Sequence, residues 1–118
     1  MAVVETITPA VSGKYQTVNL TGFVTSGDVS LGHVLAGFND RSVQVLGTFA
    51  GSLGITIEGS NDGGTTWATL TDHTGAALVF TAAGIKAIAE LPGQIRARAT
   101  AGSGGADVDV HIFMRGVR

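Results

Sequence analysis

Cysteine is absent from this 118-residue sequence, and proline, tryptophan and tyrosine occur only two, one and one times. The lack of cysteine excludes disulfide bonds and a thiolate nucleophile. Charged residues are also scarce, at 14% of the chain, where roughly a quarter is usual. The formal net charge of −2 gives no indication of a basic surface for nucleic acid. So few charges protect a surface poorly against association, which favours a protein that covers part of its surface with a partner.

Long apolar runs are absent as well. No stretch approaches the roughly 18 residues that a membrane helix requires. Residues 1–15 lack the basic stretch and apolar core of a Sec signal. The sequence therefore predicts no membrane partner. Its length suits one domain, which folds without a metal or a disulfide bond.

Glycine and alternating hydrophobic residues are what the sequence has instead. It contains 18 glycines, about twice the usual share of about 7%. Apolar and polar residues alternate over 42–49, 53–58 and 106–115, which predicts strands with one buried face. The last of these predicts four inward residues: Val108, Val110, Ile112 and Met114. No segment has a helical period. About eight to ten short strands separated by glycine turns predict an all-β fold, an antiparallel β-sandwich of jelly-roll type without substantial helix.

The N-terminal residues are set apart from the rest. Residues 1–13 alternate weakly before reaching Pro9 and Gly13, and we interpret them as an N-terminal arm or an edge strand. Residues 14–118 are predicted to form a single β-sandwich domain. Within it, residues 29–38 are ambiguous, and a strand followed by an irregular corner is favoured because Gly32 and Gly37 disfavour a helix.

The turns predict how neighbouring strands connect. Residues 42–71 are expected to form a three-strand meander, with its first turn at 50–52 and its second at 60–67. Residues 101–105 are expected to form a hairpin loop. That hairpin would set Asp107 and Asp109 opposite Arg96 and Arg98 as cross-strand charge pairs. The alternative is a Ca²⁺ site made by these two aspartates with another from a turn.

The second turn of the meander has a recognisable form. The pattern S-x-D-x-G-x-T-W over 60–67 resembles the Asp-box of sialidase-like propellers. We expect the aspartate to accept hydrogen bonds from its own turn, glycine to supply a positive φ, and tryptophan to pack over the hairpin. A propeller needs this motif in each blade, and here it occurs once. The predicted role is therefore a structural turn, formed by Ser60, Asp62, Gly64, Thr66 and Trp67.

Residues that could bind a metal or catalyse a reaction do not occur in the spacings that these functions require. His33, His73 and His111 lack the spacing of zinc ligands, and no nucleophile elbow or phosphate-binding loop is present. We therefore expect no catalytic residue, no metal and no cofactor. Phe113 lies on the polar face of its predicted strand, which indicates a protein contact. A sugar-binding platform of Trp67, Tyr15 and Phe113 is the alternative.

Most of the chain from residue 42 onward resembles virion proteins of tailed bacteriophages. The resemblance rests on the segments 43–49, 55–63 with Trp67, 70–72, 80–85, 95–96 and 107–112. It covers roughly two-thirds of the chain and implies a small sandwich or jelly-roll protein of the phage particle. The nearest type is the head decoration (cement) protein beside the major capsid protein. Such a protein is made in the host cytoplasm and lies on the capsid exterior.

The first hypothesis is therefore a non-enzymatic decoration protein that binds the shell of major capsid protein and stabilises it. We expect a homo-oligomer, a dimer or a trimer, and no nucleic acid partner. The candidate contacts with the capsid or with another copy are Val3, Val4, Ile7, Phe113 and Arg115. The alternatives are another virion component, in the tail, the head–tail junction or a fibre-like appendage, and a carbohydrate-binding module.

Overall fold

The fold is built from short strands joined by turns. The computed structural model describes residues 4–8, 15–30, 32–34 and 40–116. These residues form ten strands and no helix: β1 Val4–Thr8, β2 Tyr15–Thr25, β3 His33–Val34, β4 Asp40–Thr48, β5 Gly54–Ser60, β6 Ala68–Thr69, β7 Val79–Phe80, β8 Gly84–Ala87, β9 Gln94–Thr100 and β10 Ser103–Arg115. In these ranges there is consequently no helix long and apolar enough to cross a membrane.

The strands form two sheets that enclose one core. Sheet I has the order β1-β2-β10-β4-β8, and sheet II has the order β3-β9-β5-β6, with β7 also paired to β5. Neighbouring strands are antiparallel in both sheets. The predicted all-β antiparallel sandwich is therefore confirmed.

The core lies where the inward side chains of the two sheets meet. Alternation along each strand sends every second side chain inward, and the four predicted inward residues of β10 are all buried, which confirms that prediction. Each Å² of apolar surface removed from water contributes roughly 25 cal/mol to the stability of the fold. The packing of the two sheets against each other is therefore its main stabilising contribution. The largest buried side chains are Leu20, Phe23, Leu53, Ile55, Ile57, Leu78, Ile95, Ile112 and Met114.

One bulge keeps β2 in phase with the core. Leu20 pairs with Val110 and Phe23 pairs with Val108, so three steps on β2 match two on β10. Gly22 lies inside the bulge with a φ of 93°, a conformation that glycine adopts without strain. The extra residue lets Leu20 and Phe23 both face inward although they are three positions apart.

Two predicted hairpins are wrong, because their strands lie in different sheets. β4 belongs to sheet I and β5 to sheet II, so the turn at residues 50–52 crosses the sandwich and does not form part of a meander. Positive φ angles at Gly51 and Ser52 make this crossing. β9 and β10 are likewise in opposite sheets, joined through Ala101 and Gly102, which also have positive φ. An inward residue faces the same core from either sheet, so alternation did not distinguish these arrangements.

The hairpin between β5 and β6 does form, although β6 is short. Glu58 pairs with Thr69 and Gly59 with Ala68. Ile57 then shares its backbone groups between two segments: its carbonyl accepts from the Leu70 N–H and its N–H donates to the Leu78 carbonyl. Because both segments use the same edge of β5, β6 and β7 cover only two residues each.

Three of the remaining strands are edge strands: β1, β3 and β8. β1 forms the edge of sheet I and pairs with β2 from Val4 opposite Thr21 to Thr8 opposite Thr17. β8 forms the other edge of sheet I and ends at Ala87. In the ambiguous segment 29–38, β3 covers two residues, and positions 31 and 35–38 lie outside the described residues.

Candidate interaction surface

The turn over residues 60–67 is closed by its own side chains. Asp62 Oδ1 accepts hydrogen bonds from the backbone N–H groups of Thr66 and Thr65, at 2.8 and 3.1 Å, and from the Ser60 hydroxyl at 2.7 Å. Ser60 Oγ in turn accepts from the Gly64 N–H at 3.0 Å. These hydrogen bonds, led by that of Thr66, lower the pKa of Asp62 to about 2. The ionised carboxylate of Asp62 therefore stabilises the turn.

Trp67 is fixed at the end of this turn. Its Nε1 donates to the Gly64 carbonyl at 2.9 Å. The Arg96 guanidinium lies over the indole ring, 4.2 Å from the ring centroid, a distance typical of a cation–π contact. The five residues of the Asp-box pattern thus form one turn that begins at the last residue of β5, and its tryptophan lies against Arg96 of sheet II.

Glu58 is a buried carboxylate between two arginines. Its side chain is 7% exposed, and its oxygens accept from Arg96 Nε at 2.8 Å and from Arg98 Nη2 and Nε at 3.0 and 3.2 Å. Burial raises the pKa of Glu58, but the hydrogen bonds and charges of Arg98 and Arg96 outweigh it, so the pKa lies below its usual value. Glu58 is consequently ionised at neutral pH.

The predicted cross-strand pairs between these arginines and the aspartates of β10 are wrong. β9 is a neighbour of β5 and not of β10, so Arg96 and Arg98 meet Glu58. Asp107 and Asp109 instead lie opposite Thr48 and Leu46 of β4. Sequence reasoning missed Glu58 because it is about 40 positions from its partners. Its only signal was a charged residue on the polar side of an apolar strand.

Apolar side chains flank this ion cluster on the outer face of sheet II. One row across the sheet joins Val79, Thr56, Arg98 and Val29 through direct strand pairing. Both valines are among the exposed large hydrophobic residues. We call the outward residues of this region the arginine face: Val29, Trp67, Val79, Arg96 and Arg98.

The outer face of sheet I has a different character. One row joins Asn19, His111, Gln44 and Ile85, and the next joins Thr17, Phe113, Ser42 and Ala87. Phe113 is 39% and Ile85 is 65% exposed. Their neighbours in both rows are uncharged polar or small residues, apart from the histidine. We call these two rows the Phe113 face.

The other candidate contacts lie around this face. Arg115 pairs with Asp40 at 3.0 Å, and both side chains are more than half exposed. Val4 and Ile7 lie in β1, opposite Thr21 and Val18 of β2. Val3 lies outside the described residues. Among the candidates, Phe113 and Arg115 therefore share one strand of sheet I.

Trp67 and Phe113 are on opposite sides of the sandwich. Trp67 follows β5 and lies on Arg96 of sheet II, whereas Phe113 belongs to β10 in the centre of sheet I. A sugar-binding platform that combines them is therefore wrong. Tyr15 is at the start of β2, opposite Arg115. In the described part of the chain, no group of three or more histidine, cysteine or acidic residues is arranged to hold a metal ion.

An open groove of about 450 Å³ lies between the Asp-box turn and residues 90–92. Asp62 and Glu90 line it, but both carboxylates are engaged. Glu90 accepts hydrogen bonds from the backbone N–H and the hydroxyl of Thr71. Burial raises the pKa of Glu90, yet these hydrogen bonds hold it below its usual value. Neither carboxylate is therefore held protonated, as the general acid of a glycosidase must be.

Among known proteins, this chain has a likeness of fold to a solved structure. The chain matches no protein-family model and none of the curated proteins. Its fold is similar to that of the SPBc2 prophage-derived protein YomS, with a TM-score of 0.61, 16% identity, and coverage of 91% of this chain and 96% of that one. At this identity the likeness is one of fold.

Two further solved structures resemble the chain less. The cupin-like protein from Desulfovibrio desulfuricans has a TM-score of 0.42 and 12% identity, over 94% of this chain and 81% of that one. A protein of the disulfide-linked pili that form Bacillus endospore appendages has a TM-score of 0.44 and 13% identity, over 97% and 92%. Scores this low carry no argument about architecture or role.

Proposed function

We propose that this chain is a non-enzymatic structural protein of a phage particle, and that it decorates the capsid by binding the assembled major capsid protein. The likeness of its fold to prophage-derived YomS, over 91% of this chain and 96% of that one, carries the proposal. It agrees in kind with the resemblance of the segments from residue 42 onward to virion proteins of tailed phages. The fold that this chain shares with a prophage-derived protein, and the engagement of both groove carboxylates in hydrogen bonds, favour a structural role over an enzymatic one.

The Phe113 face is the surface that we assign to the capsid. Phe113 and Ile85 are exposed, and the residues between them, Ser42 and Gln44, are uncharged. Taking such a surface out of water costs less than burying charges. Aromatic residues are enriched, and acidic residues depleted, in protein interfaces. The composition of this face therefore suits a contact with a shell.

Stabilisation follows from selective binding. A ligand that binds the assembled shell but not its separated subunits stabilises the shell by about 2.7 kcal/mol per site at 100 times its dissociation constant. A dimer or trimer of this chain would bind neighbouring capsid subunits together, so dissociation of one contact leaves the others in place. The site of action is the capsid exterior.

The test uses capsids that lack this protein. We expect them to lose DNA or disassemble at a lower temperature than complete capsids, and to do so in low salt that complete capsids withstand. We expect added protein to restore them. Phe113→Ser should restore them poorly. Ala68→Ser, a change at an exposed position of β6 in the opposite sheet, should restore them fully. If capsids without the protein are as resistant to heat and low salt as complete ones, the decoration role is wrong.

A tail, head–tail or fibre-like component is the second candidate. The likeness to YomS favours it equally, because that protein's name specifies a prophage and not a part of the particle. Antibody labelling of intact particles in the electron microscope separates the two. Label distributed over the head supports decoration, and label confined to the tail or its junction supports the second candidate.

A further inference from the structure

The arginine face carries one positive charge more than its contacts neutralise. Arg96 and Arg98 both bind the single carboxylate of Glu58, and no other carboxylate among the described residues forms an ion pair with either of them. The cluster therefore has a net charge of +1, on a chain whose net charge is −2. The excess lies at one place on the outer face of sheet II.

The two guanidinium groups are held in place before any partner arrives. Arg96 uses Nε for Glu58 and rests on the Trp67 ring, while Arg98 uses Nε and Nη2 for Glu58. Among the described residues, neither Nη group of Arg96 makes a hydrogen bond, and neither does Nη1 of Arg98. The side chains remain 22% and 39% exposed. Fixed donors lose little conformational entropy when they bind a further carboxylate.

Apolar surface adjoins the charge. Val29 and Val79 are 41% and 44% exposed and lie in the same row as Arg98, one on each side. Tryptophan and arginine are the residues most enriched among those that dominate binding energy in protein interfaces. A partner that fits this surface presents a negative charge between aliphatic side chains.

We propose that the arginine face docks an acidic segment of a partner protein, in which a carboxylate is flanked by aliphatic residues. The carboxylate binds the free donors of Arg96 and Arg98 and neutralises the cluster, and the aliphatic residues cover Val29 and Val79. Charge-assisted hydrogen bonds to arginine are about twice as strong as neutral ones, and they give the contact its direction. The surface lies opposite the Phe113 face, so one molecule has two separate contacts.

The probe is a blocked pentapeptide of the sequence Val-Ser-Glu-Ser-Val, in which an extended chain puts both valines and the glutamate on one face, and its control is the same peptide with glutamine. In ¹⁵N NMR spectra, we expect the glutamate peptide to shift the signals of Trp67 Nε1–H and of the Arg96 and Arg98 Nε–H groups. The glutamine peptide should bind about tenfold more weakly, the factor that about 1.4 kcal/mol produces. Because the peptide test involves no capsid, it succeeds or fails independently of the decoration role.

Three variants complete the test. Arg98→Gln should abolish the shifts, whereas Lys86→Gln, which removes a charge from the edge of sheet I, should leave them unchanged. Val79→Ser keeps all the ion pairs and should weaken binding several-fold, so the proposal remains testable even if Arg98→Gln unfolds.

Four outcomes would overturn the proposal. They are equal shifts with both peptides, shifts confined to sheet I, no shift at millimolar peptide, and self-association of the chain that Arg98→Gln abolishes. The last would assign the face to a second copy.

Discussion

Gly47 of β4 and Asp107 of β10 approach each other more closely than a side chain at position 47 would allow. A Cβ atom on Gly47 would lie 2.3 Å from the Asp107 carbonyl oxygen, and the φ of Gly47 is 118°. The contact is between backbones, so no flexible side chain can move aside. It lies in the centre of sheet I, where Gly47 pairs with Val108.

Gly47→Ala should therefore destabilise the protein strongly. The positive φ alone costs about 1–3 kcal/mol for a residue with a Cβ, and the clash with Asp107 adds to it. The control is Gly63→Ala, where φ is also positive, at 76°, but nothing lies within 4 Å of the new atom. Urea unfolding of both variants gives the two costs. Equal losses would show that the approach of the two strands carries no penalty of its own.

A second pair of variants tests the core. Ile57 is fully buried and Ile85 is 65% exposed. Ile57→Ala should cost about 2–5 kcal/mol of unfolding free energy, because it removes buried methyl groups and leaves a cavity. The same change at Ile85 should stay within about 0.5 kcal/mol. Chemical denaturation measures both, and a large loss at Ile85 would contradict its placement on an outer face.

The strands could be predicted from the sequence, but their partition between sheets could not. The alternation of Val43 and Val45, and of Ile55 and Ile57, identifies inward positions correctly. In a sandwich, both sets point at one core whether β4 and β5 are neighbours or face each other. The turn at 50–52 is equally short in either case. Only the sum of pairing over the whole chain places β10 between β2 and β4.

The candidate surfaces also differ in how far the sequence predicts them. Features within one turn or one strand could be predicted, and contacts between strands could not. The Asp-box turn is local: Ser60, Asp62 and Thr66 are within six positions, so the pattern specifies their hydrogen bonds. The exposure of Phe113 also follows from the alternation within a single strand. The cluster around Glu58 depends on which strand lies beside β9. Asp107 and Asp109 had the right spacing and were closer in sequence, and they were the wrong partners.

Asp62 makes stability depend on pH in a defined window. Its pKa is about 2 in the folded protein and about 3.9 in an unfolded chain. A lowered folded pKa contributes stability above the unfolded value, and this stability is lost as the pH falls through the folded value. Asp62→Asn should therefore lower the melting temperature at pH 6, and the difference from wild type should shrink steadily between about pH 4 and pH 2.

The measurement is thermal unfolding by circular dichroism at a series of pH values. Asp107→Asn is the control, since it removes the same charge from an exposed position in sheet I. It corrects for the effect of net charge on stability at each pH. A difference between wild type and Asp62→Asn that is constant from pH 6 to pH 2 would show that the ionised carboxylate does not stabilise the turn.

Glu58→Gln tests the buried ion cluster. Removing one partner of a buried pair costs about 3–5 kcal/mol when the remaining charge has no access to water. Arg96 and Arg98 are 22% and 39% exposed, so solvent compensates part of this loss, and we expect about 1–3 kcal/mol. The signal of Trp67 Nε1–H should also move, because Arg96 loses the carboxylate that holds it over the indole ring.

The control is Asp109→Asn, the same loss of charge on sheet I, which should change unfolding free energy by less than about 0.5 kcal/mol. A Glu58→Gln variant as stable as wild type would mean that hydrogen bonding alone, without the negative charge, holds the two arginines in place.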